Sequence, residues 1–136
     1  MPMLHVLLPG APNPILSAAV AKELSQLTQH HLHKDPAATA VAIGYIAPEH
    51  WFVGGTSLGA HNTKSFSLEI KITAATNTKA EMADYQQAVF AAMTRLLGPL
   101  HEESYIVVHE VPAASYGHGG LTQEFRFISG QLKKAA

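Results

Sequence analysis

The run Tyr105-Ile106-Val107-Val108 leads through Glu110-Val111-Pro112 into Ser115-Tyr116-Gly117-His118-Gly119-Gly120. This stretch decides the fold, because the chain uses the same device once before. Thr39-Ala40-Val41-Ala42-Ile43-Gly44-Tyr45-Ile46 is rich in strand formers and is followed by Trp51-Phe52-Val53-Gly54-Gly55. In both places a buried-looking strand ends in a turn closed by paired glycines. From Gly55 to Gly120 the offset is 65 residues.

The segments before the two strands match as well. The apolar run Met3 to Leu8 precedes a Pro/Gly turn. Asn13 then stands as an N-cap, with Pro14 at the first helical position. Leu16, Val20, Leu24 and Leu27 follow helical spacing, and the helix must end before Pro36. In the second half Phe66, Leu68, Ile70 and Ile72 alternate with polar residues, which is strand period. Asn77 reads as the cap of a helix with the stripe Met82, Tyr85, Val89, Met93 and Leu96, stopped at Gly98-Pro99. Asn13 and Asn77 lie 64 residues apart, so caps and glycine turns nearly share one register. The chain is an internal repeat.

A helix crossing between two strands makes them parallel, with a right-handed connection. The expected fold is α+β: two tandem βαβ units forming a four-stranded sheet with two helices on one face. The expected organisation is one domain, with a βαβ unit over 2–55, a linker over 56–64, a second βαβ unit over 65–120 and a tail over 121–136. Phe125-Arg126-Phe127-Ile128 alternates and predicts a short edge strand, and residues 131–136 read as frayed. The uncovered sheet face is expected to be apolar and to need another subunit.

Composition narrows the function. Of 136 residues, 47% are hydrophobic and 14% charged, which points to surface hidden in an oligomer. The net charge of −1, with no basic block, argues against nucleic acid. The absence of cysteine removes thiol chemistry and disulfides. No run suits a membrane span or a signal peptide, so a cytoplasmic protein is expected. His30-His31-His33 has no carboxylate partner at ligand spacing and reads as a helix end favoured by the dipole, so no metal is expected. No helix follows Gly119-Gly120 with dinucleotide spacing, which leaves no nucleotide cofactor.

Pro2 follows the initiator methionine at the head of the first strand. Removal of Met1 would leave a secondary amine held by its ring, and apolar walls would favour its neutral, basic form.

These residues resemble the tautomerase superfamily, whose members are built from βαβ units and begin with a catalytic proline. Glu110 to Gly120 is similar to the hairpin that closes 4-oxalocrotonate tautomerase. Pro2-Met3 and Tyr105 to Glu110 are similar to macrophage migration inhibitory factor. The length and linker resemble the cis-3-chloroacrylic acid dehalogenase group. The resemblance implies a homotrimer with no cofactor, a small-molecule substrate and tautomerase activity. Pro2 would be the general base and Tyr105, donated by a neighbour, the pocket tyrosine. Met3, Trp51, Phe52, His118 and Arg126 would line the substrate site.

The departures concern the arginines. The family's carboxylate-binding arginines fall at Pro12 or Thr76 and at Tyr105 or Ala40. The dehalogenase branch's arginines fall at Thr73-Ala74-Ala75-Thr76, and its helical histidine near Thr28. Only Arg95 and Arg126 are present, and Lys34, Lys64 and Lys71 do not align with the family's pocket lysine. A monoacid or neutral carbonyl substrate is therefore expected. The rivals are a hydratase, dehalogenase or decarboxylase of the same superfamily and a non-catalytic trimeric binding or signalling protein.

Overall fold

The computed structural model describes residues 2–136. Strand β1 (Met3–Pro9), helix α1 (Pro14–Leu32) and strand β2 (Ala40–Ile46) form the first unit. Strand β3 (Phe52–Val53), strand β4 (Thr56–Ser57) and the one-turn helix α2 (Leu58–His61) follow. The second unit repeats them as β5 (Ser67–Thr73), α3 (Lys79–Leu97), β6 (Tyr105–Val111), β7 (Gly117–His118), β8 (Leu121–Thr122) and α4 (Gln123–Ala135).

The main sheet has the order β2-β1-β5-β6. β1 runs parallel to β2 and β5 parallel to β6, while β1 and β5 pair antiparallel with Met3 opposite Lys71 and Leu7 opposite Ser67. Two right-handed βαβ units thus meet head to tail, related by a pseudo-twofold between β1 and β5. The predicted four-stranded α+β arrangement is the one observed.

The core lies between the sheet and helices α1 and α3, which pack against each other. Leu4, Val6, Leu8, Leu68, Ile70 and Ile72 point inward from the central strands, as period two requires. They meet Val20 and Leu24 from α1 and Tyr85, Val89 and Met93 from α3. Thr28, near the position of the dehalogenase histidine, is fully buried between the helices. Its hydroxyl donates to the Leu24 carbonyl at 2.7 Å and meets the Tyr85 hydroxyl at 2.9 Å. Burial pushes the Tyr85 phenol up to about 12. Thr28 therefore joins the helices rather than facing a pocket.

Three local expectations change. The cap of α3 is Thr78, not Asn77. Thr78 Oγ1 accepts from Glu81 N at 3.1 Å while Glu81 Oε1 accepts from Thr78 N at 2.8 Å, a reciprocal box that outcompetes a lone Asn. Asn77 instead donates to the Leu32 carbonyl at 3.1 Å and ties the second unit to the end of α1. Thr78→Ala is expected to cost about 1 kcal/mol of stability, read as a lower urea midpoint with unchanged m-value. An unmoved midpoint would refute the box.

The 56–64 segment carries β4 and α2 rather than plain linker. The tail is helix α4, not an edge strand. Thr122 caps it by accepting from Phe125 N at 3.0 Å, and Phe125, Ile128 and Leu132 fall at i, i+3 and i+7, a helical spacing hidden by the Phe125/Phe127 alternation. Residues 131–135 continue this helix. Phe125, Phe127, Ile128 and Leu132 are all exposed.

The open sheet face is mixed rather than apolar. Leu7 and Val107 share it with His5, Glu69, Lys71 and His109, and His109 Nε2 lies 3.9 Å from Glu69 Oε1. Among the described residues no helix is long and apolar enough to cross a membrane.

Candidate functional site

Pro2 is buried at the head of β1, and its carbonyl accepts from Ala40 N at 3.2 Å. The antiparallel β1–β5 junction brings the end of β5 beside it, so Thr73 and the turn after it lie at the same end of the sheet. The hairpin after β6 reaches this end as well. The Tyr116 hydroxyl donates to the Lys71 carbonyl at 3.1 Å and accepts from the Met3 backbone N–H. Desolvation raises the Tyr116 pKa and the Met3 bond lowers it. Tyr116 thereby clamps the residue next to Pro2 onto β5.

The hairpin is held by its glycines. Gly119 and Gly120 adopt φ of +62° and +82°, and a Cβ on Gly117 would collide with the Leu121 backbone carbonyl. β8 then caps α4, whose first turns return Arg126 to the hairpin. Arg126 Nη2 donates to the His118 carbonyl at 2.9 Å, while its buried Nε has no hydrogen-bond partner among the described residues. Desolvation, and then the Arg126 charge, hold His118 below the ordinary imidazole range. Arg126 is thus a helix residue folded against the hairpin, not an edge-strand residue.

A cavity of about 710 Å³ opens here, with Thr73, Thr76, Ala113, Arg126, Phe127 and Ile128 among its walls. Lys34, two residues beyond α1, holds one wall residue: its Nζ donates to Thr76 Oγ1 at 2.9 Å, and Thr76 Oγ1 donates to the Thr73 carbonyl at 2.6 Å. Desolvation lowers the Lys34 pKa, against an opposing pull from Glu81. Lys34, Arg126 and Lys71, which pairs with Met3, thus lie at this end of the sheet, with Glu124 in the cavity wall. Lys34 places its ammonium on Thr76.

Tyr116 carries no functional signal in the sequence, and Lys34 stands there only as one of three lysines that do not align with the pocket lysine. Lys34 follows a helix end, and its meeting with Thr76 spans 42 residues. Tyr116 could have been found only by asking which side chain precedes the paired glycines.

Trp51, Phe52 and Tyr105 do not reach Pro2 of their own chain. β2 runs parallel to β1, so its C-terminal end lies beside Pro9 and sends the Trp51 hairpin to the far end of the sheet. Tyr105 pairs with Ser67, which pairs with Leu7, four residues or about 13 Å along β1 from Met3. The Tyr105 hydroxyl donates to Glu103 Oε2 at 2.6 Å, and this bond holds its pKa up. The predicted site residues thus fall into two groups: Pro2, Met3, His118 and Arg126 at one end, and Trp51, Phe52 and Tyr105 at the other. Within one chain Tyr105 and Pro2 therefore do not meet.

His33 caps α1 in the left-handed region (φ 59°) and pairs with Glu81 at 2.9 Å. Among the described residues no three His, Asp or Glu side chains converge as a metal site.

No protein-family model and no curated protein sequence matches the chain. Solved structures do. A fused 4-OT wild-type asymmetric trimer superposes with a TM-score of 0.79 at 16% identity, covering 91% of this chain and 98% of that one. The chain has the tautomerase fold. The same fold is seen in Pt0534 inactivated by 2-oxo-3-pentynoate (TM-score 0.79, 14% identity, 91% and 98% covered). Macrophage migration inhibitory factor from Toxoplasma gondii is also similar (TM-score 0.72, 17% identity, 88% and 98% covered). In this tautomerase fold the unit-to-unit offset is 65 for the helices and hairpins and 64 for β1 and β5, so Pro2 corresponds to Phe66 and Tyr116 to Trp51. Only the first unit opens on a proline.

Proposed function

We propose that the chain is a tautomerase-superfamily member that acts, once Met1 is removed, as a cofactor-independent keto–enol tautomerase on a small monocarboxylic α-keto acid or its enol. The observation that carries this reading is the buried Pro2 at the head of β1, at the sheet end flanked by Lys34 and Arg126. A buried amine is favoured in its neutral, proton-accepting form. Pro2 nitrogen takes a proton from the carbon beside the substrate carbonyl. The electron pair moves onto the carbonyl oxygen, and the prolinium returns the proton to that oxygen, giving the enol; ketonisation is the reverse. Lys34 and the Arg126 guanidinium bind the carboxylate and the developing oxyanion as charge-assisted donors.

Tyr116 is assigned as a positioning residue that fixes the backbone next to Pro2. Tyr105 is not assigned the donor role, because its hydroxyl proton is engaged by Glu103. The exposed apolar side of α4 supports a homotrimer, and the fused 4-OT neighbour is a trimer.

The test is ketonisation of phenylenolpyruvate, followed by absorbance, with protein whose mass shows loss of Met1. Turnover no faster than buffer would sink the reading. Lys34→Met is expected to raise KM for phenylenolpyruvate about 10- to 100-fold, the loss of one charge-assisted hydrogen bond. The methyl ester should lose little. An equal effect on acid and ester would remove Lys34 from carboxylate binding.

A further inference from the structure

Lys34 follows α1 on a backbone that is fixed on both sides. His33, in the left-handed region, donates its N–H to the Gln29 carbonyl at 3.0 Å. Asp35 Oδ1 accepts from Ala37 N at 2.9 Å and caps the short helical turn Pro36–Ala38. The lysine stem has no such support, since its flexible carbon chain rotates at every bond. Where the ammonium sits is decided at its tip.

The partner at the tip is Thr76, an exposed wall residue of the cavity at the Pro2 end. Its hydroxyl proton goes to the Thr73 carbonyl at 2.6 Å, so toward Lys34 Nζ, at 2.9 Å, the oxygen can only accept. The turn that carries Thr76 is itself tied to β6: Ala74 N donates to the Val111 carbonyl at 2.8 Å, and Ala75 N to Glu110 Oε1 at 3.4 Å. Thr76 takes one donor of the ammonium and leaves the others for a ligand. Desolvation lowers the Lys34 pKa, and the charge of Glu81, held by Thr78 N and His33, opposes it. Glu110 and Glu124 lie at this end too, so net charge does not draw a carboxylate here. The placement of single cationic groups does.

We infer that Thr76 is a positioning residue for carboxylate recognition, its hydroxyl holding the Lys34 ammonium in one place before the substrate arrives. The inference rests on the tautomerase reading and adds to it a group that acts through Lys34. A lysine already placed loses less rotamer freedom on binding, which raises affinity without a new contact to the substrate. The bond to Thr76 serves ground state and transition state alike, so it bears on KM and not on kcat.

The test compares Thr76→Val, which keeps the shape and removes the hydroxyl, with Thr76→Ser, which keeps the hydroxyl. Thr76→Val is expected to raise KM for phenylenolpyruvate about 3- to 10-fold at unchanged kcat, and to leave the methyl ester unaffected. Thr76→Ser should behave as the wild type. In a Lys34→Met background Thr76→Val should change nothing further, the sign of a residue that acts through Lys34. NMR of protein isotope-labelled at lysine Cε gives a readout without turnover, the Lys34 signal being the one that Lys34→Met removes. That signal should titrate at lower pH in Thr76→Val, because an acceptor of the ammonium is gone, and return in Thr76→Ser. The inference is overturned by a KM that does not respond, by equal effects on acid and ester, by a further loss in the Lys34→Met background, or by an unmoved Lys34 titration. Any of these with an active wild type leaves the Pro2 reading standing, whereas an inactive wild type sinks that reading and this inference with it.

Discussion

Pro2→Ala is expected to lower kcat for phenylenolpyruvate ketonisation by about 10²–10⁴-fold, the range of a positioned general base. The loss should not be total, because alanine at position 2 still offers an amino-terminal amine, whose ordinary pKa is about 7.7–8.0. That amine hangs on a freely rotating backbone, whereas the proline ring fixes its nitrogen relative to β1. Retention of Met1 should be more severe than the substitution, since the proline nitrogen is then an amide with no basic lone pair. 2-Oxo-3-pentynoate, with which Pt0534 was inactivated, serves as a second readout. Digestion and mass spectrometry should place a single adduct on Pro2, with none on Met1-retaining protein. Equal rates for wild type and Pro2→Ala, or labelling elsewhere, would take Pro2 out of the mechanism.

Ile70→Ala is expected to destabilise the fold by about 2–5 kcal/mol, measured as a drop in urea midpoint. Ile70 is fully buried on β5, opposite Leu4 across the antiparallel junction and opposite Val108 on the parallel side. It belongs to the core under α1 and α3, so truncation opens a hole between both units that neither helix can fill by moving alone. Ile106→Ala, only partly buried on the outer strand β6, should cost less. The order of the two variants tests the head-to-tail pairing: if Ile106→Ala proved the costlier, β5 would not be central.

Much of the fold is legible locally. The helix of the first unit is written in Asn13-Pro14 and the Leu16–Leu27 stripe, and β5 in the strict alternation from Phe66 to Ile72. The errors share a cause. Asn77 and Thr78 are both good caps, and the choice between them fell to Glu81, whose return bond only the formed helix provides. The Phe125/Phe127 alternation is as consistent with a strand as the wider spacing is with a helix, and the Thr122 cap decided it. Trp51 and Phe52 are apolar enough to wall an amine, but that property does not say at which end of the sheet their hairpin emerges.

The sequence by itself determined that two βαβ units follow each other, where their strands and helices run, and that one of them opens on a proline. Those properties rest on periodicity and capping, which act over a few residues. The tertiary structure alone decided which residues share an end of the sheet. The parallel pairing of β1 with β2 sends Trp51 away from Pro2, and the return of α1 brings Lys34 back to it; the antiparallel pairing of β1 with β5 sends Glu103 and Tyr105 away and brings Thr76, Tyr116 and Arg126 near. Such meetings join positions tens of residues apart, so the charge of each end is fixed only once that central junction has formed.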